Sequence, residues 1–229
     1  MADFPFEIVG FDLDGTLFDT SADIAAAANH VLELDGRPQL PLAAIKPMIG
    51  AGGLHLLEQA LAATGGGDAA AAERLFPEWL RFYEAHIARE TRPFPGLIDA
   101  LDALDARGVK IAIVTNKRER LAVKLVAELG LSDRFACIIG GDTMGPGNAK
   151  PSPLPIREMI ARCGGGRAAF VGDSIFDTGA ARAAGIPSIA VSFGFLTQPI
   201  AELQADAVID HFDELIAALE TLGAVQAGR

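Results

Sequence analysis

Short, nearly unbroken apolar runs recur along the chain, each followed by residues at helical spacing. They are Phe6-Glu7-Ile8-Val9-Gly10-Phe11, Val109 to Val114, Phe135 to Ile139, Ala168 to Val171, Ser188 to Val191 and the short Ala207-Val208-Ile209. A strand with one wet face alternates apolar and polar residues, whereas runs without alternation suit strands covered on both faces. Between them Leu97, Ile98, Leu101 and Leu104 predict a helix stopped by Gly108, and Leu121, Leu125 and Leu129 predict one stopped by Gly130. A third is expected from a Ser152 N-cap and Pro153 in the first turn to Gly164, a fourth from Asp177 to Ala184, and a last from Asp213 to Leu222. This alternation predicts an α/β, three-layer core with a central parallel sheet.

One region breaks the alternation. Residues 19–93 show no convincing strand but helical stretches at Ser21–Leu34, Leu54–Ala63 and Ala69–Arg89, the last expected to kink or split at Pro77. Loops at 36–38, 50–53 and 65–67, rich in Gly or Pro, separate them. The expectation is an all-helical domain, 19–93, inserted into a core made of 1–18 and 94–229, with hinges at Phe18-Asp19-Thr20 and Arg92 to Gly96.

Composition narrows the function. Half of the 229 residues are hydrophobic, enough to bury a real core. The formal net charge of −11 argues against nucleic acid or an anionic membrane as partner. A phosphorylated substrate stays open, because one lysine and a divalent cation reverse the potential locally. Cys137 and Cys163 form no CxxC pair or metal-ligand spacing and read as ordinary small buried residues, and no disulfide scaffold is expected. With no basic-apolar leader and no membrane-length apolar run, a cytoplasmic location is the expectation. Oligomeric state is not readable.

Four sites carry chemistry. The first is Asp12-Leu13-Asp14-Gly15-Thr16, behind the first apolar run. Paired carboxylates at a strand end suit attack by one on an electrophile and proton transfer by the other, and Gly15 lets the backbone turn. The second is Thr115-Asn116-Lys117, where a hydroxyl can donate to a phosphoryl oxygen, although taken by itself a helix N-cap is the favoured reading. The third is Lys150-Pro151, a point charge before a helix N-terminus. The fourth is Gly172-Asp173-Ser174-Ile175-Phe176-Asp177, whose hard oxygens suit Mg²⁺ or, more simply, complement a helix dipole. All four fall at strand ends or in the loops that follow, along one edge of the sheet.

Together these motifs resemble the haloacid dehalogenase superfamily over essentially the whole chain. Its fold is a Rossmann-like core, and the helical block resembles its first cap type. Ile49-Gly50-Ala51-Gly52, Gly140-Gly141-Asp142-Thr143 and Ala205 to Asp210 are similar to the phosphoglycolate phosphatase branch. The resemblance implies a Mg²⁺-dependent phosphomonoesterase acting on a small phosphorylated metabolite, 2-phosphoglycolate first. Asp12 would be the nucleophile, forming an aspartyl phosphate, and Asp14 the proton donor and then base. Thr115, Asn116 and Lys150 would bind phosphoryl oxygens. The metal would rest on Asp12, the Asp14 carbonyl and Asp173, with Asp177 orienting the site from behind. Ser192 to Thr197 departs from the branch pattern, which bears on the substrate.

A hexose-phosphate mutase or a broad small-molecule phosphatase of the same superfamily remains the alternative, since the motifs do not separate them. An acid at position 14 counts against a dehalogenase, and the complete motif set counts against a non-catalytic binder. The 46–53 loop is expected to face the site, with Lys46 a candidate for a substrate carboxylate and Arg118 and Arg120 further candidates. His30, His55, His86 and His211 read as structural or surface residues.

Overall fold

The structure, a computed structural model, describes residues 4–66 and 69–227. Met1–Asp3 of the N-terminal stretch and Gly67 of the expected 65–67 loop lie outside the described residues. Strand β1 (Ile8–Phe11) leads to a two-residue strand β2 (Phe18–Asp19) and then to helices α1 (Ser21–Leu34), α2 (Leu42–Ile45), α3 (Gly53–Ala63) and α4 (Ala69–Ala85). A two-residue strand β3 (Arg92–Pro93) returns the chain. Alternation then sets in with α5 (Leu97–Asp105), β4 (Lys110–Val114), α6 (Glu119–Glu128), β5 (Cys137–Ile139), α7 (Leu154–Arg162), β6 (Ala168–Gly172), α8 (Ile175–Ala184), β7 (Ser188–Val191), β8 (Ala207–Ile209) and α9 (Leu215–Ala227).

The sheet is six-stranded and parallel, in the order β5-β4-β1-β6-β7-β8. Its inner strands are apolar apart from Lys110 and Ser188 at their starts, because both faces are covered. Val9, Phe11, Ile111, Ile113, Ala169 and Val171 point into the core shared with α5, α6 and α9. Their neighbours Ile8, Ala112, Val114, Ala168 and Phe170 point into a second core with α7 and α8. The period of two thus persists in direction while vanishing from composition. Strand β1 is central, flanked by β4 and β6, so the ends of these three strands adjoin.

Several boundaries differ from expectation. Helix α7 begins at Leu154 with Pro153, not Ser152, in the N-cap position; Ser152 Oγ still accepts from the Leu154 amide at 3.3 Å. Helix α4 runs unbroken through Pro77 and ends at Ala85, short of Arg89. Proline there removes one amide donor, but Ala72, Leu75, Trp79, Leu80 and Tyr83 form a buried stripe that holds the helix together. Helix α2 and the 3₁₀ turn Lys46–Met48 were not foreseen, being too short for a periodic signal.

The two crossings into the helical block are fastened to each other. Strands β2 and β3 pair antiparallel, Phe18 opposite Pro93 and Asp19 opposite Arg92. Asp23, buried in the first turn of α1, accepts from the amides of Glu90 (3.1 and 3.0 Å) and Thr91 (2.9 Å) and from the Thr91 hydroxyl (2.8 Å). Asp23→Ala strands these donors and is expected to lower the unfolding free energy by roughly 2 kcal/mol or more. Urea titration checks this, and an unchanged midpoint would show that the clasp carries no stability.

Candidate active site

Strand β1 ends at Phe11, and the Asp12 amide continues the ladder by donating to Val171 O at 2.9 Å. This fixes the Asp12 carboxylate at the carboxyl edge of the sheet. Gly15 then turns the chain with φ of 81°, and its amide donates to Phe18 O. The turn needs glycine for a second reason: a Cβ at Gly15 would run into Asp173 Oδ2.

Three buried carboxylates gather here. Oxygens of Asp12, Asp173 and Asp177 lie within 4.8 Å of one another. The Lys150 ammonium serves two of them, at 2.9 Å from Asp12 Oδ1 and 2.6 Å from Asp177 Oδ1, and also donates to Val114 O at 2.6 Å. The approach to Asp12 is electrostatic rather than directional, leaving Asp12 Oδ1 buried without a hydrogen-bond donor. The Asp12 carboxyl is raised to about 6, by burial above all and then by Asp177 and Asp14, with Lys150 opposing. Asp173 is raised well above the usual carboxylate range, by burial first and then by Asp177 and Asp12. An orphaned carboxylate oxygen and a cluster of acids that exceeds its cations fit a divalent cation with hard oxygen ligands.

The surrounding chain holds each acid in place. Asp173 accepts from the Phe195 amide at 2.6 Å, and Gly194 admits Asp173 so closely that any Cβ would overlap it. The Ser192 to Thr197 stretch therefore supports the site. Asp177 forms a capping box with Ser174, whose amide (2.9 Å) and hydroxyl (2.5 Å) both donate to its Oδ2. The capping and site readings of Asp177 thus hold together, since its other oxygen faces Lys150.

Asp14 turns to a different cation. Both of its oxygens accept from Lys117 Nζ, at 2.6 and 2.7 Å, and the Thr20 hydroxyl donates to Oδ1 at 2.6 Å. Burial would lower the Lys117 pKa, but Asp14 and Tyr83 outweigh it, so the amine stays protonated. Lys117 belongs to the second sequence motif, but the sequence assigned it no role. Thr115 does not cap a helix: its Oγ1 accepts from the Lys117 amide at 3.2 Å, and Arg118 occupies the α6 N-cap position. Asn116 Nδ2 donates to Lys150 O (3.2 Å) and across to Gly50 O (3.0 Å) in the helical block.

A cavity of about 290 Å³ opens between block and sheet edge. Asp12, Asp14, Thr115, Asn116 and Lys117 line it from the core, and Trp79, Tyr83 and the 49–53 loop from the block. That loop faces the site as expected. Lys46 instead lies over the Phe195 ring, 4.9 Å from its centroid, and lines neither this cavity nor the smaller one beside it. Arg118 lines the cavity against the Phe76 ring, while Arg120 pairs with Glu84. His55, read as a structural or surface residue, is exposed and contributes to the walls of both cavities.

A parallel sheet with acids at the carboxyl ends of β1 and β6 and a helical block over them defines a class, and the comparisons agree. Residues 9–191 match the family described as haloacid dehalogenase-like hydrolase, and the chain belongs to that family of hydrolases. It is 39% identical over 217 residues to a phosphoglycolate phosphatase of Caulobacter vibrioides, covering 93% of this chain and 91% of that one. A phosphoglycolate phosphatase of Agrobacterium fabrum is 40% identical over 212 residues, 91% of this chain and 90% of the relative. The crystal structure of a predicted phosphoglycolate phosphatase from Haemophilus somnus 129pt superposes with a TM-score of 0.86 at 26% identity, covering 93% and 97% of the two chains. No helix among the described residues is long and apolar enough to cross a membrane.

Gly15→Ala forces both the turn and Asp173 to shift. A displacement of that size is expected to lower kcat/KM by on the order of 100-fold, with unchanged far-UV circular dichroism. Turnover like that of the wild type would show that the placement of Asp173 is not needed.

Proposed function

We propose that this hydrolase is a Mg²⁺-dependent phosphomonoesterase that works through an aspartyl phosphate, with 2-phosphoglycolate as its substrate and glycolate and phosphate as products. The observation that carries the reading is the buried Asp12 carboxylate beside Lys150 and Asp173, with Asp12 on the wall of a cavity large enough for a small ester. The names of the relatives support the choice of substrate.

In this reading the Asp12 carboxylate attacks phosphorus and the ester oxygen departs, taking a proton from Asp14. Asp14, now a carboxylate, removes a proton from the water that attacks the aspartyl phosphate, releasing phosphate and restoring Asp12. Thr115, Asn116 and Lys150 hold phosphoryl oxygens. Asp12, the Asp14 main-chain carbonyl and Asp173 would hold Mg²⁺, which when bound neutralises charge on the transferring group. Asp177, which accepts from Lys150 and from Ser174, positions the site from behind in this reading. The helical block 19–93 acts as the cap, set on the core of 1–18 and 94–229, and the Asn116–Gly50 link ties its loop to the phosphoryl site.

Phosphate release from a panel of esters tests this directly. 2-Phosphoglycolate is expected to lead hexose phosphates, nucleotides and an aryl phosphate, and EDTA to abolish release. A hexose phosphate in the lead would overturn the substrate, and metal-independent release would overturn the cofactor. Asp12→Asn is expected to eliminate turnover with the fold intact; retained activity would refute the nucleophile.

A further inference from the structure

Lys117 stands apart from the groups that handle the phosphoryl. Its ammonium is buried, holds both oxygens of Asp14, and lies 4.9 Å from the centroid of the Tyr83 ring. It lines the cavity next to Thr115 and Asn116. Among the described residues the other Lys or Arg on that wall is Arg118, which is exposed and lies over Phe76. Lys150 is occupied by Asp12, Asp177 and Val114 O, and Lys46 lies outside the cavity. An acidic group on the part of the ester beyond the phosphoryl therefore meets Lys117 as the inner cation.

Asp14 is meanwhile held by the same ammonium. Both of its oxygens accept from Lys117 and Oδ1 also accepts from Thr20, so the carboxylate is turned toward Lys117. We propose that Lys117 reads a carboxylate on the leaving group, and that this carboxylate takes the place of Asp14 on the ammonium, freeing Asp14 to take up a proton from solvent and pass it to the departing oxygen. The proposal rests on the assignment of Asp14 as the acid and base of the reaction. The exchange is one carboxylate for another, so a buried ammonium keeps an anionic partner throughout. A neutral leaving group offers no replacement, and releasing Asp14 would leave Lys117 buried and unpaired, an arrangement that is strongly unfavourable. Selectivity for acids then comes as much from this penalty as from attraction. It also enters kcat, because the same event makes Asp14 available.

The test is a cycle between Lys117 and the substrate carboxylate. Wild type and Lys117→Met are assayed for kcat and KM on 2-phosphoglycolate and on its neutral amide. Wild type is expected to favour the acid by on the order of 10- to 100-fold in kcat/KM, with part of the effect in kcat. In Lys117→Met the preference should fall to near unity, whatever the overall rate. A wild type indifferent to the amide, or a variant that keeps the preference, overturns the proposal. Should the methionine variant fail to fold, Lys117→Arg keeps the charge but moves it, and an unaltered preference there overturns the proposal too. The two readings fail separately. Preference for another acidic ester over its own amide, lost with Lys117, would overturn 2-phosphoglycolate and support Lys117. A lead for 2-phosphoglycolate with an amide discrimination untouched by the substitution would do the reverse.

Discussion

The surplus of buried negative charge at the carboxyl edge of the sheet is the constraint on which the rest of the structure turns. Asp12, Asp173 and Asp177 share a small volume with one ammonium, Lys150. Desolvation makes unpaired carboxylates costly, and the fold tolerates them by fixing each one from behind. The Phe195 amide, the Ser174 capping box and the Val171 carbonyl hold them through backbone that is itself part of strand ends and a helix start. The arrangement cannot relax by moving its acids apart. It can be relieved by a cation, and in the proposed reaction by a cation together with a phosphoryl group whose oxygens meet Lys150.

The second carboxylate of the first motif obeys a different logic. Asp14 is satisfied by Lys117 from the core and by Thr20 from the first crossing into the helical block. Thr20 stands at the N-cap position of α1, yet its hydroxyl serves Asp14 and not the helix. The fastening of that crossing, by β2–β3 pairing and by Asp23, thus sets the position of an active-site partner as well as the seating of the block. Core, crossing and block all meet at this carboxylate, since Tyr83 of α4 lies over Lys117.

Much of this was legible in the sequence because it is local. The apolar runs located the strands, with β7 and β8 matching end to end; β7 is buried on both faces and announces itself without partners, while the edge strand β8 is apolar yet leaves Val208 exposed. Asp12, Asp14, Thr115, Asn116, Lys150, Asp173 and Asp177 were singled out through motifs at strand ends or in the loops that follow, and strand order gathers them at one edge. What escaped depends on contacts between distant segments. Lys117 is distinguished by Asp14, 103 positions away, and Asp23 by amides 67 and 68 positions away. The Phe195 amide holds Asp173 through its backbone, which no side-chain motif records. Pro77 misled in the opposite direction: the local rule predicted a kink or break, and the buried stripe of α4 overrode the break.

The central claim is that Asp12 carries the phosphoryl group between substrate and water. The most direct measurement is mass spectrometry of peptides from enzyme acid-quenched during turnover of an aryl phosphate with Mg²⁺. Asp14→Asn is used to slow release of the phosphoryl group, and the good leaving group reduces the need for a proton donor. The account predicts one phosphoryl group on the peptide that contains Asp12, absent when Asp12→Asn is combined with it. Turnover with no phosphorylated peptide, or with the phosphoryl group on another residue, would contradict it.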